Sequence, residues 1–246
     1  MAYLMSSPQA KRPLRMTDYT LYYWPLPFRG QFVRSVLAHV HATWDEADIT
    51  AVSALRHAAP SRQPVPLMGP PVLTDHASGC SLAQTPAILA YLGRKHGLIP
   101  EDPVREALTA KIIADANDVL YEMTLHNGAQ MWSKEAWKSY RPRLSRWMGI
   151  FEETGRRYGL MANEGYLLGT ETLGIADLTA HILWGTMTAK FPILRSMLDT
   201  TAPAMAGLSD RIASLSEQDE LRRRSDTEYG DEWCSGEIEA SLRAVL

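Results

Sequence analysis

The patterned part of the chain opens with Tyr19-Thr20-Leu21-Tyr22-Tyr23-Trp24, a run of aromatic and β-branched residues that predicts a first strand. Past the turn at 25–30, Phe32, Val33, Val36, Leu37 and Val40 recur at helical spacing. Thr43 to Thr50 reads as a second strand, with Trp44 near its start. Residues 51–69 carry Pro60, Pro64, Pro66 and Gly69 and predict a loop with one short helix. Pro70-Pro71-Val72-Leu73-Thr74-Asp75 is a strand entered through two prolines, which lack the N–H a ladder needs and so sit at strand starts or edges. Then comes Ser81-Leu82-Ala83-Gln84-Thr85-Pro86-Ala87-Ile88. Thr85 suits a helix N-cap and Pro86 the first helical position, and Ala87, Ile88, Tyr91 and Leu92 share one face. The order β-α-β-(α)-β-β-α implies a small mixed sheet with helices on its faces.

Beyond the linker at 96–103 the pattern is helical. Leu108, Ile112, Ala116, Val119, Leu120 and Met123 mark one long helix. Trp137, Tyr140, Leu144, Trp147, Met148 and Phe151 mark another, with Pro142 as its start or a kink. Gly174-Ile175-Ala176-Asp177-Leu178 opens a third, with Gly174 as N-cap, Asp177 at the third position, and Leu173 and Leu178 as the staple. Met205, Leu208, Ile212 and Leu215 give a further helix. The tail from Ser225 is mixed, with a helix expected over 236–244. Residues 1–17 read as a flexible extension in which Met16 could be an alternative start. The expected organisation is that extension, an α/β domain over 18–96 and an all-helical domain over 104–246.

Composition narrows the function. With 46% hydrophobic and 22% charged residues the chain reads as an ordinary soluble protein. Its formal net charge of −3 removes the basic footprint of a nucleic-acid binder. Cys80 and Cys234 form no CxxC and no metal spacing, which suits a reducing, cytoplasmic setting without a disulfide framework. No apolar run is long enough for a membrane span, and no secretory signal opens the chain.

The chemistry concentrates between Pro70 and Ile88. A helix N-terminus offers free N–H groups and partial positive charge, a natural seat for a carboxylate or phosphate. Here an amide and a hydroxyl, Gln84 and Thr85, flank it. Pro-Val-Leu followed by Leu-x-Gln-Thr-x-Ala-Ile-x-x-Tyr-Leu resembles the glutathione transferase family, and Gly-Ile-Ala-Asp-Leu is similar to the capping segment of that family's helical domain. The resemblance covers roughly residues 19–225.

The resemblance implies a thioredoxin-like domain followed by an all-α domain, and a cis-proline at Pro71 shaping the thiol pocket. It implies that Gln84 and Thr85 hold the γ-glutamyl carboxylate of glutathione, the co-substrate. The first strand looks like that of tyrosine-type members, the alpha, mu, pi and sigma-like branch, in a bacterial-type member. There the catalytic tyrosine lies two residues before the proline, which here is Tyr23. Strand alternation puts Tyr22 on the other face, and physics alone does not choose between them. Residues 24–31 hold no Ser or Cys of the serine or cysteine branches. By the same resemblance Asp115, with Asp118 as competitor, would reach glutathione's amino group across a homodimer. Gln31 stands where some classes carry arginine. Trp44, Arg56 and Arg62 are substitutes for an absent glycyl-binding Trp or Lys. Trp24, Leu26, Met131 and Trp132 are candidates for an apolar acceptor pocket.

Two residues depart from the pattern. Gly174 stands where the family usually has Ser or Thr, and a glycine N-cap costs only a few tenths of a kcal/mol. Pro70 stands where the family offers a backbone N–H to the cysteinyl part of glutathione, and proline has none. The leading expectation is an enzyme that conjugates the glutathione thiolate to a hydrophobic electrophile, in detoxification. A ligandin-like carrier and a scaffold use of the fold are the rivals. His126 reads as a surface or packing residue, and Arg222-Arg223-Arg224 as a solvated helix end.

Overall fold

The computed structural model describes residues 17–246. The extension expected over 1–17, Met16 included, lies outside them apart from Thr17. Four strands form one mixed sheet in the order β2-β1-β3-β4. β1 (Tyr19–Tyr22) pairs in parallel with β2 (Trp44–Glu46) and antiparallel with β3 (Val72–Asp75), which pairs antiparallel with β4 (Cys80–Ala83). Helices α1 (Arg29–His39), α2 (Ile49–His57) and α3 (Thr85–Lys95) complete this half.

The second strand is shorter than the sequence suggests. Asp48 interrupts it by capping α2, its carboxylate accepting from the Ala51 N–H at 2.8 Å. Thr85 is not the cap of α3. It is the first helical residue, Gln84 takes the cap position, and no side chain closes that end.

The helical half comprises α4 (Pro103–Met123), α5 (Leu125–Gly128), α6 (Lys134–Arg157), α7 (Ile175–His181), a π turn (Ile182–Thr186), α8 (Met187–Lys190), α9 (Pro192–Thr201), α10 (Pro203–Ala213), α11 (Ser216–Tyr229) and α12 (Gly236–Arg243). Pro142 lies inside α6, whose start is fixed upstream where Ser133 caps the Ala136 N–H at 3.2 Å. Gly174 does cap α7. Asp177 accepts from the Gly174 N–H at 2.8 Å and from the Leu167 N–H at 2.7 Å, tying the preceding loop to the helix start. A Cβ on Gly174 would stand 3.1 Å from the Leu98 carbonyl, which already accepts from the Ile175 N–H, so a larger residue would crowd this crossing of the two halves. One hydrophobic core runs through both halves, from Leu21 and Leu73 in the sheet through Leu92 and Ile112 to Trp184 and Leu208. Together these make a four-stranded α/β layer and an all-helical layer sharing one core.

Candidate active site

Tyr23 follows β1 directly. Because Tyr22 pairs with Val72, Tyr23 stands across from Pro71, and the Pro70–Pro71 bond is cis. Tyr23 is 3% exposed. Its ring lies under the start of α1, where a Cβ on Gly30 would come within 2.4 Å of it, so only glycine lets helix and ring approach this closely. The hydroxyl accepts from the Arg29 backbone N–H at 3.0 Å, and its own proton has no acceptor among the described residues. Burial pushes the phenol well above the usual tyrosine range, against the pull of the Arg29 and Arg34 guanidiniums, and the Cys234 thiol nearby pushes the same way as burial. At neutral pH Tyr23 is therefore a protonated donor.

Two arginines hold the surrounding backbone. Arg34 is buried, bonds both oxygens of Glu46 at 2.8 and 3.0 Å, and donates to the carbonyls of Leu26 and Trp24. It fixes the loop between β1 and α1. Arg29 donates to Asn117 Oδ1 at 2.5 Å and to Asn127 Oδ1 at 3.2 Å. Asn127 sits in a run of left-handed residues, with φ of 42° at Leu125, 63° at His126 and 57° at Asn127. Non-glycine residues avoid this region, and three in succession mark a strained turn that brings Asn127 over the guanidinium. Sequence reasoning missed Arg29, Arg34 and Glu46. The only available signal was two arginines in a helix start otherwise buried.

At the α3 end, Gln84 is exposed and has φ 74°, outside the range its side chain favours. Thr85 is buried and its Oγ1 has no partner. Thr85 and Arg29 line a shared cavity of about 10 Å³ between the two halves, room for one water. The structure thus brings Thr85 to Arg29, and Arg29 to Tyr23. Pro70 and Pro71 are buried.

The remaining candidates are dispersed. Gln31 faces Arg34 and α11, on a different side of α1 from Arg29 and Phe32. Asp115 pairs with Lys111 on its own helix, and Asp118 is exposed. Arg56 and Arg62 are exposed, and Trp44 donates to Glu46 at 2.9 Å. The residues expected to line an acceptor pocket have separate neighbours. Trp24 packs edge-on to Tyr23 and Leu26 lends its carbonyl to Arg34, whereas Trp132 is buried against Trp137 and Tyr140 and Met131 is exposed beyond it.

The C-terminal segment lies between these groups. Trp233 is buried edge-on between Phe28 and Phe191, at 4.9 and 5.5 Å. Glu239 accepts from the backbone N–H groups of Trp233, Cys234 and Ser235 at 2.7–2.9 Å, and Arg243 pairs with it at 2.6 Å. Ser241 accepts from the Trp132 N–H at 3.0 Å. The segment packs on Phe28 at the start of α1, its Cys234 lies near enough to influence the Tyr23 phenol, and nothing in its sequence signalled that placement. Among the described residues, no cluster of His, Cys, Asp and Glu could hold a metal ion, and no helix is long and apolar enough to cross a membrane.

Residues 108–245, more than half of the chain, match the family described as glutathione S-transferase, C-terminal domain. Among solved structures the chain is similar to NaGST-2, at 21% identity and a TM-score of 0.68, over 85% of this chain and 97% of that one. It is similar to the Pi-class glutathione S-transferase of Onchocerca volvulus at 18% identity and 0.68, over 85% and 94%. It is also similar to prostaglandin synthase D of Nilaparvata lugens at 19% identity and 0.63, over 84% and 98%. No curated protein matches the sequence.

Proposed function

The chain belongs to the glutathione S-transferase family, and on that premise we propose that it binds glutathione beside Tyr23 and conjugates the thiolate to a hydrophobic electrophile. The observation that carries the reading is the Tyr23 hydroxyl, enclosed opposite Pro71, held by the Arg29 N–H and keeping its own proton free. An ordinary thiol has a pKa near ~8.5, so little of it is thiolate at neutral pH. Lowering that by two units requires about 2.7 kcal/mol, and a hydrogen bond to a charged group contributes about 1.5–3 kcal/mol. One protonated phenol covers most of the difference. The α3 N-terminus with Gln84 and Thr85 would take the γ-glutamyl carboxylate. Pro70 would leave its carbonyl, and Asp115 would serve a partner subunit in a homodimer after exchanging Lys111.

Tyr23→Phe tests the assignment. Glutathione affinity should stay within about twofold, while turnover with chlorodinitrobenzene falls about 10- to 100-fold and the bound thiol's pKa rises. Unchanged thiolate absorbance in that variant removes Tyr23 from the role.

A second reading is a glutathione-binding carrier without turnover. Two observations favour it: the residue before Pro71 offers no N–H, and the C-terminal segment seats Trp233 on Phe28, beside the start of α1. Glutathione affinity chromatography with the same assay separates the two, since a carrier is retained without turning over.

A further inference from the structure

A cavity of about 230 Å³ opens between α1, the π turn, α10 and α11. It lies on the side of α1 away from Arg29 and Thr85, which line the separate small cavity. We propose that it is a second ligand seat, for a small uncharged one-ring carbonyl compound.

Four enclosed polar side chains line it with hydrogen-bonding capacity left over. Gln31 is 4% exposed; its Oε1 accepts from Arg34 at 3.4 Å, and its amide nitrogen has no partner among the described residues. Ser225 is 5% exposed and its hydroxyl makes no hydrogen bond among them. Gln218 exchanges two bonds with Ser35, at 2.8 and 2.9 Å, which leaves one amide N–H unused. His181 meets Ser209 through Nδ1 at 3.1 Å and has no partner at Nε2. None of these groups is sealed in protein, since each opens onto the cavity, and it is their convergence on one apolar-walled cavity that points to an occupant. The spare capacity is mostly N–H and O–H, which selects a ligand with an acceptor oxygen.

Charge and shape narrow it further. The rim cations are taken: Lys190 by Asp226 at 2.9 Å, Arg195 by Asp210 at 2.7 Å, and Arg222 by Asp226 at 3.0 Å. A buried ion would enter without a free counter-charge, so the occupant is neutral. Ile182 and Leu221 supply the apolar wall, which single waters would not satisfy. A void of about 150 Å³ holds benzene, so this one holds a ring with a polar substituent. The wall is built for the purpose locally. A Cβ on Gly185 would approach Ser209 Oγ to 2.7 Å and His181 Nδ1 to 3.2 Å, so glycine in the π turn is what leaves that pair intact. Such turns are frequent at functional sites.

Benzamide is the probe, titrated into the full chain by calorimetry and two-dimensional NMR, with benzoate and benzylamine as charged controls. The expected result is saturable benzamide binding at least about tenfold tighter than either control, undiminished by saturating glutathione. Ser225→Ala should weaken it about three- to tenfold through one lost hydrogen bond. Ala213→Leu, which fills the cavity from α10, should abolish it, with circular dichroism and melting confirming that both variants fold. Absence of saturable binding, displacement by glutathione, or unchanged affinity in both variants overturns the proposal.

Discussion

Asp177 and Glu239 are nearly enclosed carboxylates in the first turn of a helix, at 2% and 5% exposure, yet their proton affinities are shifted in opposite directions. Asp177 accepts two backbone N–H groups and has no ion pair, and burial raises it to about 6. Glu239 accepts three and pairs with Arg243, so it stays below the usual carboxylate range despite burial. Desolvation weighs on both, more heavily on Asp177, and the adjacent Arg243 cation helps turn the balance at Glu239. The first sits where the two halves of the molecule meet, and the second clamps the segment that seats Trp233 on Phe28.

The sharpest way to break the comparison is Asp177→Ala. It strands the Leu167 and Gly174 N–H groups, each at about 1–3 kcal/mol, so urea denaturation should show a loss of about 2–5 kcal/mol. The pH dependence is next. His181 is lowered to about 4 by burial, so as pH falls from about 6.5 the unfolded chain takes a proton that the native one refuses. Stability from this group is complete above about 6.5 and drains away toward 4, on the order of 3 kcal/mol at about 1.36 per unit. Asp177 acts oppositely, because the native state takes its proton first as pH falls through 6. His181→Gln should remove the loss and leave the gain, so that the difference from wild type grows across this window in pH-dependent urea titrations.

Glu239→Gln should have a smaller global effect, about 1–2 kcal/mol, but a large local one. The Cys234 thiol, pushed up to about 12 by burial, should become markedly more reactive toward a disulfide reagent, measured in a Cys80→Ser background. Equal reactivity with and without the substitution would detach Glu239 from the closure. Last, Gly174→Ser should fail to stabilise, changing the melting free energy by less than about 0.5 kcal/mol, because the gain of a better cap is offset by crowding of its Cβ against the Leu98 carbonyl at 3.1 Å.

Much of the fold was legible because it rests on local pattern. Pro71-Val72-Leu73 at the start of β3, the apolar stripes of α4 and α6, and Gly174 with Asp177 are all within a few residues of what they specify. Arg222-Arg223-Arg224 lie inside α11 and not at a helix end, and the extent of that helix is hidden because Leu221 is its one aliphatic residue. Its real signature is charge spacing, Arg222 with Asp226 and Arg224 with Glu228. β2 was overextended because Asp48 looked like part of a polar strand rather than a cap. In the candidate site Tyr23, Gln84 and Thr85 could be named from the chain. The grip of Arg34 on Glu46, Asn127 on Arg29, and Trp233 between two phenylalanines could not, because each joins residues distant in sequence.

The knot at Glu239 also ties three amides to one event. In heavy water Trp233, Cys234 and Ser235 would trade their hydrogens at a shared pace, since none is released until the same carboxylate lets go. That pace would count how often Trp233 leaves its place between Phe28 and Phe191, a clock read from the protein's own backbone.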